Sequence, residues 1–129
     1  MNIQLPNTSA KALNNFPKSR NLTVNDVLVA SWGYEQTNID YYQVVKLIGK
    51  ASVSIRPIAK RKTANLDNSM VGTCLPIPDQ FIGEALTKRV VFDGLSVQID
   101  SRYRTANKKS YTEENNIRIY KADNWTAYA

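Results

Sequence analysis

The sequence feature that most constrains the fold is a series of short apolar runs between residues 27 and 58, each ending in turn-forming residues. Residues 51–56 (ASVSIR) alternate between apolar and polar side chains, and this period of two is typical of a half-buried antiparallel strand. Residues 41–48 (YYQVVKLI) are apolar at odd and even positions alike, which indicates a central strand covered on both sides. Pro57 lacks an amide hydrogen and therefore predicts an edge position or a strand end.

The rest of the chain also gives strand and turn signals, without a long amphipathic helical period. Asp93-Gly94 separates the apolar runs 86–92 and 95–100, so we expect a hairpin with a type I′ turn in which Leu95, Val97 and Ile99 share one face. Residues 66–79, with one glycine and two prolines, predict an irregular crossing segment that contains one short strand. Residues 117–120 predict a short closing strand.

These patterns predict a mainly β fold, either a small antiparallel SH3-like barrel or a rolled sheet. A chain of 129 residues is most simply one domain with a substantial core. We assign residues 1–21 to a polar N-terminal arm and residues 22–129 to a single barrel-like domain with an irregular C-terminal segment. Trp125 and Tyr128 are predicted to anchor that segment on the barrel.

The connection between residues 33 and 40 (GYEQTNID) combines turn-forming residues with aromatic and amide side chains. Two interpretations are open. The segment is either a structured turn whose rings cap one end of the barrel, or a recognition loop that displays those groups to a partner. Glu35 and Asp40 are the carboxylates of this loop, but no third metal ligand or cofactor motif accompanies them, so catalysis or magnesium binding is the weakest alternative.

The formal net charge is +6, which favours polyanionic partners, although the same charge also suits a solvated surface. Arg56 and residues 60–62 form the densest basic run, which predicts either a solvated loop or a set of phosphate contacts. The candidate binding residues are the loop and flanking groups and the basic side chains: Trp32, Tyr34, Gln36, Asn38, Tyr41, Arg56, Lys60, Arg61, Lys62, Lys88, Arg89, Arg102 and Arg104.

Composition excludes several classes of chemistry. The chain has no histidine, which excludes His-based triads, dyads and metal sites, and its single cysteine excludes thiolate zinc sites and internal disulfides. No glycine-rich phosphate loop is present. We therefore expect a protein that is not an enzyme and uses no cofactor. The lone Cys74, the absence of a signal-like N-terminus and the lack of a long apolar run lead us to expect a cytoplasmic protein.

Residues 31–45 (SWGYEQTNIDYYQVV) resemble the diagnostic segment of an uncharacterised family of small phage and mobile-element proteins, whose pattern is SWGY-x-QTN-x-D-[FY]-YQV. Further similarity runs through residues 56–58, 81–84, 87–90 and 128–129. The chain departs from the family after Tyr103, where relatives tend to have an aromatic-Asp-Gly turn and this chain has NKKSYTEENN. The resemblance implies a genetic setting in a host cell and no particular activity.

Three functions follow as hypotheses. The first is an accessory protein that binds nucleic acid or a nucleic-acid-processing complex, with aromatic rings stacking and cations contacting phosphates. The second, which the family resemblance motivates, is an anti-defence inhibitor of the anti-CRISPR type that binds a host nuclease or CRISPR effector. The third is a phage structural or assembly part. The sequence predicts neither the partner nor the oligomeric state.

Overall fold

The computed structural model describes residues 20–100 and 104–127, and within these ranges the chain forms ten β-strands and no helix. The strands, in chain order, are β1 Val27–Trp32, β2 Asn38–Ile48, β3 Ser52–Ala64, β4 Val71–Phe81, β5 Leu86–Val91, β6 Ser96–Gln98, β7 Thr105–Lys108, β8 Tyr111–Glu114, β9 Ile117–Tyr120 and β10 Asp123–Thr126. The predicted mainly β fold is therefore confirmed.

Six of the strands close an antiparallel barrel in the order β1, β2, β3, β5, β6, β7. Closure depends on β7, which pairs back on β1 through Leu28–Lys108 and Val29–Asn107. Every pairing in this ring is antiparallel, as the alternating patterns predicted. Because a closed barrel leaves few free edges, each strand in it satisfies its backbone groups on both sides.

The barrel interior is filled by aliphatic side chains and one tyrosine. Leu28, Ala30, Tyr42 and Val44 project inward from β1 and β2. They meet a set from the other strands, namely Val53, Ile55, Val90, Val97 and Ala106. Burial of one valine- or leucine-sized side chain stabilises a fold by roughly 1.5–3 kcal/mol, so this cluster is the main source of stability. The inward positions predicted for Val53 and Ile55 are confirmed.

A second apolar cluster covers the outer face of β1 and β2. It consists of Val27, Ile39, Tyr41, Ile58, Cys74 and Trp125. The strands β4 and β10 enclose it, because β4 pairs with the second half of β3 and β10 pairs with β4. A single bridge between Thr37 and Thr126 then joins β10 to the start of β2. The prediction that the strand at residues 41–48 is covered on both faces is confirmed for Tyr41 to Val44, all of which are buried.

The long strand β3 belongs to both units. It continues for 13 residues, so Pro57 does not end it and residues 59–64 are not the solvated loop that the basic run suggested. Pro57 lies where the neighbour on one side changes from β5, at Leu86, to β4, at Phe81. Its carbonyl accepts a hydrogen bond of 2.9 Å from the Ile82 amide. Because the ladder of hydrogen bonds is already interrupted on this side of β3, the missing N–H of Pro57 removes no bond from it. Proline is tolerated at edge strands for the same reason.

Residues 71–81 form an 11-residue strand, so the predicted irregular crossing segment is wrong. Gly72 is required by close packing, since a Cβ there would meet the backbone of β3 and would lie 2.8 Å from the ring of Trp125. Pro76 and Pro78 lie beyond the last residue of β4 that pairs with β10, which is Cys74. Pro76 still pairs with Lys60 of β3, but at both prolines the other side of β4 has no partner strand, and there a proline removes no ladder bond.

The hairpin of β5 and β6 has the predicted strands but a different turn. Residues 92–95 connect Val91 to its partner Ser96, and positive φ angles fall on Phe92 (57°) and Gly94 (84°). The two-residue type I′ turn at Asp93-Gly94 is therefore wrong. The Asp93 carboxylate instead accepts a 3.0 Å bond from the Leu95 amide, which favours a longer loop. Leu95, Val97 and Ile99 share the inward face, as predicted.

The C-terminal segment, predicted to be largely irregular, contains four strands. Ile117–Tyr120 does not close the barrel but forms a separate hairpin with Tyr111–Glu114. Its turn residues Asn115 and Asn116 both have positive φ angles, 52° and 67°, which is the type I′ pattern. Trp125 on β10 is buried, so its predicted anchoring role is confirmed, while Tyr128 lies outside the described residues.

The predicted N-terminal arm falls mostly outside the described residues, which begin at Arg20. Arg20 and Asn21 themselves join the body, since their amides donate to the carbonyls of Lys50 and Gly94 at 3.0 and 2.8 Å. Nowhere in residues 20–100 and 104–127 is there a helix with the length and apolar character needed to cross a membrane.

Candidate nucleic-acid interface

The turn that joins β1 to β2 has a sterically constrained backbone, and its residues 33–35 are exposed. Gly33 and Glu35 have positive φ angles of 127° and 66°, and a Cβ on Gly33 would lie 2.9 Å from the Nδ2 atom of Asn38. Only glycine accommodates both constraints at that position. Tyr34 is 88% exposed, while Gln36 is half-buried. The backbone of the segment therefore fits the interpretation as a structured turn. The exposed ring of Tyr34 fits the interpretation as a recognition loop.

Trp32 lies beside this turn and is held in a fixed orientation. Its Nε1 atom donates a 2.7 Å hydrogen bond to Asp40 Oδ2, and the guanidinium of Arg104 lies 4.4 Å from the centre of its ring. Arg104 is oriented in turn by an ion pair of 3.5 Å with Asp100. The indole remains 39% exposed. The structure thus brings together a tryptophan and an arginine that are far apart in the sequence, because β7 pairs with β1.

Asp40 connects this aromatic pair to the basic residues of β3. Its Oδ1 atom lies 3.2 Å from the ammonium of Lys60, which also donates to the Ile39 carbonyl. Two residues further along β3, the ammonium of Lys62 lies 4.1 Å from the centre of the Trp125 ring. Trp32, Lys60 and Arg104 are thus linked by contacts. Together with Tyr34 of the turn and Lys62 of β3, we call them the cationic-aromatic surface.

A polar groove of about 540 Å³ lies between the outer wall of the barrel and β10. Ser31, which lines it, is the chain neighbour of Trp32, so in β1 the two side chains project from opposite faces. Asn107 and Asn124 provide amide groups further along. The charged residue that lines the groove is Asp123, so its walls are hydrogen-bonding and acidic rather than cationic.

Tyr41 is a correction to the predicted site. Its side chain is fully buried, at 1% exposure, because it projects to the outer face of β2 that β4 and β10 cover. The hydroxyl donates a 2.6 Å bond to Asp123 Oδ2 and also contacts the Cys74 carbonyl at 3.1 Å. Burial, supplemented by these bonds, raises the pKa of Tyr41 far above its ordinary value. Tyr41 is therefore a protonated structural donor and does not contact a partner.

The basic run at residues 56–62 is divided between different environments. In the pairing with β4, Lys62 lies opposite Cys74 and Arg61 opposite Leu75, so the side chains of Lys62 and Arg61 project from opposite faces. Arg56 is separate again, since its guanidinium lies 4.3 Å above the Phe81 ring and donates to the Gly83 carbonyl. The predicted cluster therefore contributes Lys60 and Lys62 to the surface, and Arg56 and Arg61 lie elsewhere.

Of the other predicted residues, Asn38 pairs with Trp32 across β1 and β2, whereas Lys88 and Arg89 lie away from this surface. Lys88 and Arg89 belong to β5, which borders the first half of β3, and Lys88 donates to the Ile99 carbonyl at 2.9 Å. Asn38 is half-buried beneath Gly33, and its Nδ2 atom is a buried donor with no partner in the described part of the chain. Arg102 lies outside the described residues.

The structure also contains buried ionic groups that the sequence patterns did not indicate. The ammonium of Lys109, a residue only 8% exposed, lies 2.8 Å from Asp123 Oδ2, and the same oxygen accepts the hydrogen bond of the Tyr41 hydroxyl. Asp26, 1% exposed, pairs with Lys108 and Arg118 at 3.6 and 3.3 Å. In both groups, the charges of acidic and basic side chains compensate each other between segments that are distant in the sequence. Only the spatial pairing, and no local motif, distinguishes Lys109 from a solvated lysine.

Among residues 20–100 and 104–127, no group of three or more acidic or cysteine side chains is placed to hold a metal ion. Asp40 is already engaged by Trp32 and Lys60, while Glu35 lies in the left-handed region of the turn. Comparison of the chain with family models, with curated proteins and with solved structures finds no match, so the resemblance of residues 31–45 to a phage family stays a prediction.

Proposed function

We propose that this protein is a non-enzymatic binding module for single-stranded nucleic acid, acting as an accessory protein of a phage or mobile element in the host cytoplasm. The observation that supports this most strongly is the fixed, half-exposed Trp32, with Arg104 over its ring and Lys60 joined to it through Asp40. Rings and arginine planes that bases can stack on, next to cations that contact phosphates, are the usual elements of such sites.

The geometry favours unpaired strands over duplexes. Tyr34 projects from the turn with 88% of its surface exposed, and stacking on it requires a base whose face is free. Trp32 is already oriented by its hydrogen bond to Asp40, so little side-chain entropy is lost when a ligand binds.

The acidic partners make the expected electrostatic contribution moderate. Asp40 and Asp100 compensate part of the charge of Lys60 and Arg104, whereas Lys62 has no acidic partner in the described chain. We expect about two phosphate contacts to be electrostatically significant. The slope of log K against log salt concentration would then be roughly −1.4, since each phosphate contributes about −0.7 for single strands.

The experiment is a fluorescence titration of the full chain with a single-stranded oligonucleotide at rising salt concentrations. Tyr34→Ala is expected to weaken binding by about 1–3 kcal/mol while leaving stability unchanged, because the side chain is exposed and packs against nothing that the fold requires. The matched control is Phe92→Ala, which removes another exposed aromatic ring from the β5–β6 loop. The proposal fails if no binding occurs at low salt, or if both variants weaken binding equally.

A second function, inhibition of a nucleic-acid-processing protein such as a host nuclease, is supported by the β8–β9 hairpin. Ile117 and Ile119 are 65% and 44% exposed on one face of it, and a recess of about 630 Å³ lies between the hairpin and β10. Exposed aliphatic side chains on a projecting hairpin suit a protein partner. If this function is correct, the wild type inhibits the nuclease and Ile117→Lys does not, while oligonucleotide binding is the same for both.

A further inference from the structure

A small cavity of about 40 Å³ lies where β2 and β3 separate. Regular pairing of these strands stops at Tyr41 and Ile58, and the bridge between Thr37 and Thr126 closes the other side of the opening. The lining of the cavity includes Asn38, Ile39, Lys60, Lys62, Trp125 and Thr126. It is the entrance to the second apolar cluster, so its floor is apolar and its rim is cationic.

Four side chains at this cavity, those of Asn38, Lys60, Lys62 and Thr126, retain hydrogen-bond donors without acceptors among the described residues, and the Nδ2 donor of Asn38 is buried. The ammonium of Lys60 has three N–H groups, and two of them are used by the Ile39 carbonyl and Asp40. Lys62 contacts the Trp125 ring and forms no ion pair within the described ranges. The hydroxyl of Thr126 accepts a 2.7 Å bond from the Thr37 amide, so its own proton is available to a ligand.

The charge and the size of the cavity limit what can occupy it. Lys60 and Lys62 contribute two positive charges, and Asp40 compensates one of them, so the entrance keeps a net positive charge. A volume of about 40 Å³ exceeds the roughly 10–15 Å³ that one water molecule needs, and it suits a single tetrahedral anion. A sugar or a base is too large to enter with it.

We infer that this cavity binds one phosphate group through Lys60, Lys62 and Thr126. In a nucleic-acid strand that group is the terminal phosphate monoester, because an internal phosphate carries a nucleoside on each side. The recognition of strand ends rests on the proposed function, whereas binding of the free ion does not. A terminal monoester also carries more negative charge than an internal phosphodiester at neutral pH, which matches the positive entrance.

The first test uses inorganic phosphate as the probe, with the chemical shifts of the Trp125 indole and Lys62 backbone amides followed by NMR at constant ionic strength. Saturable shifts are expected for the wild type. Lys62→Met keeps the aliphatic contact with the Trp125 ring and is expected to lower phosphate affinity roughly tenfold or more. Arg61→Met removes the same charge from the opposite face of β3 and is expected to change affinity less than about twofold.

The second test compares oligonucleotides of one sequence that carry a 5′-phosphate, a 3′-phosphate or hydroxyl groups at both ends. Tighter binding of one phosphorylated form, lost in Lys62→Met and kept in Arg61→Met, supports the inference. Equal binding of all three forms, with no saturable phosphate shifts, overturns it and leaves the proposed function standing. Saturable phosphate binding without oligonucleotide binding supports the cavity and overturns the proposed function. Equal loss of phosphate affinity in both variants overturns the cavity assignment.

Discussion

The two apolar clusters lie on opposite faces of the same strands and differ in composition. Inside the barrel, aliphatic side chains such as Val44, Val53 and Ile55 are fully buried, and the wall is closed on all sides. Outside it, Cys74 and Trp125 line an open cavity. They lie near the hydrogen-bonded group formed by Lys109, Asp123 and Tyr41. The first cluster provides stability, and the second provides the entrances and charged groups that a ligand can use.

The largest expected effect compares two isoleucines of β3. Ile55→Ala is expected to destabilise the protein by about 4 kcal/mol, because its closed surroundings cannot collapse around the missing atoms. Ile58→Ala, in the second cluster, should cost about 2 kcal/mol, since its cluster neighbours Cys74 and Trp125 line an open cavity and can rearrange. Urea unfolding monitored by tryptophan fluorescence measures both. An equal or larger loss for Ile58→Ala would remove the distinction between the clusters.

The next effect concerns the buried ion pair. Asp123→Asn preserves an acceptor for the Tyr41 hydroxyl but leaves the ammonium of Lys109, 8% exposed, without its counter-charge. A loss of roughly 2 kcal/mol in the free energy of unfolding is expected. The control Asp100→Asn breaks a partly exposed pair with Arg104 and should cost less than about 1 kcal/mol. Similar losses for the two variants would contradict the structural role of Lys109.

The smallest effect is a pH dependence at the alkaline end. Because burial raises the pKa of Tyr41, the folded protein keeps the hydroxyl proton at a pH where the unfolded chain loses it. This contribution to stability is fully present below about pH 10 and is lost above it by about 1.4 kcal/mol per pH unit. Tyr41→Phe should reduce the alkaline decline by that amount, as measured by unfolding at several pH values. An unchanged decline would place the hydroxyl in solvent.

Much of the barrel could be predicted because its strands are regular. Val53 and Ile55 alternate with polar residues, and residues 41–44 are buried on both faces, so local pattern and tertiary environment agree. β4 could not be predicted from the same reasoning. Its Gly72 and its two prolines resemble turn signals, yet the glycine permits the approach of Trp125 and the prolines lie where one side of β4 has no partner strand. Both explanations depend on neighbours that are distant in the chain.

The candidate site shows the same limit. The sequence placed Trp32, Lys60 and Arg104 among the candidate residues, but only barrel closure and the course of β3 bring them into contact. It also selected Tyr41, because a strand that is apolar on both faces does not reveal which tyrosine is covered by another layer. Lys62 and Arg61 are placed on opposite faces by the alternation of side chains along a strand, and this could be applied only once the residues were known to form a strand.

The closure of the barrel through β7 has a consequence for how the molecule forms. Leu28 lies near the beginning of the described chain and its partner Lys108 near the end, so this contact requires a very long loop to be ordered. Topologies dominated by such distant pairings fold slowly, on millisecond to second timescales. During synthesis, the free side of β1 therefore remains a template for other chains until residues 105–108 have emerged from the ribosome.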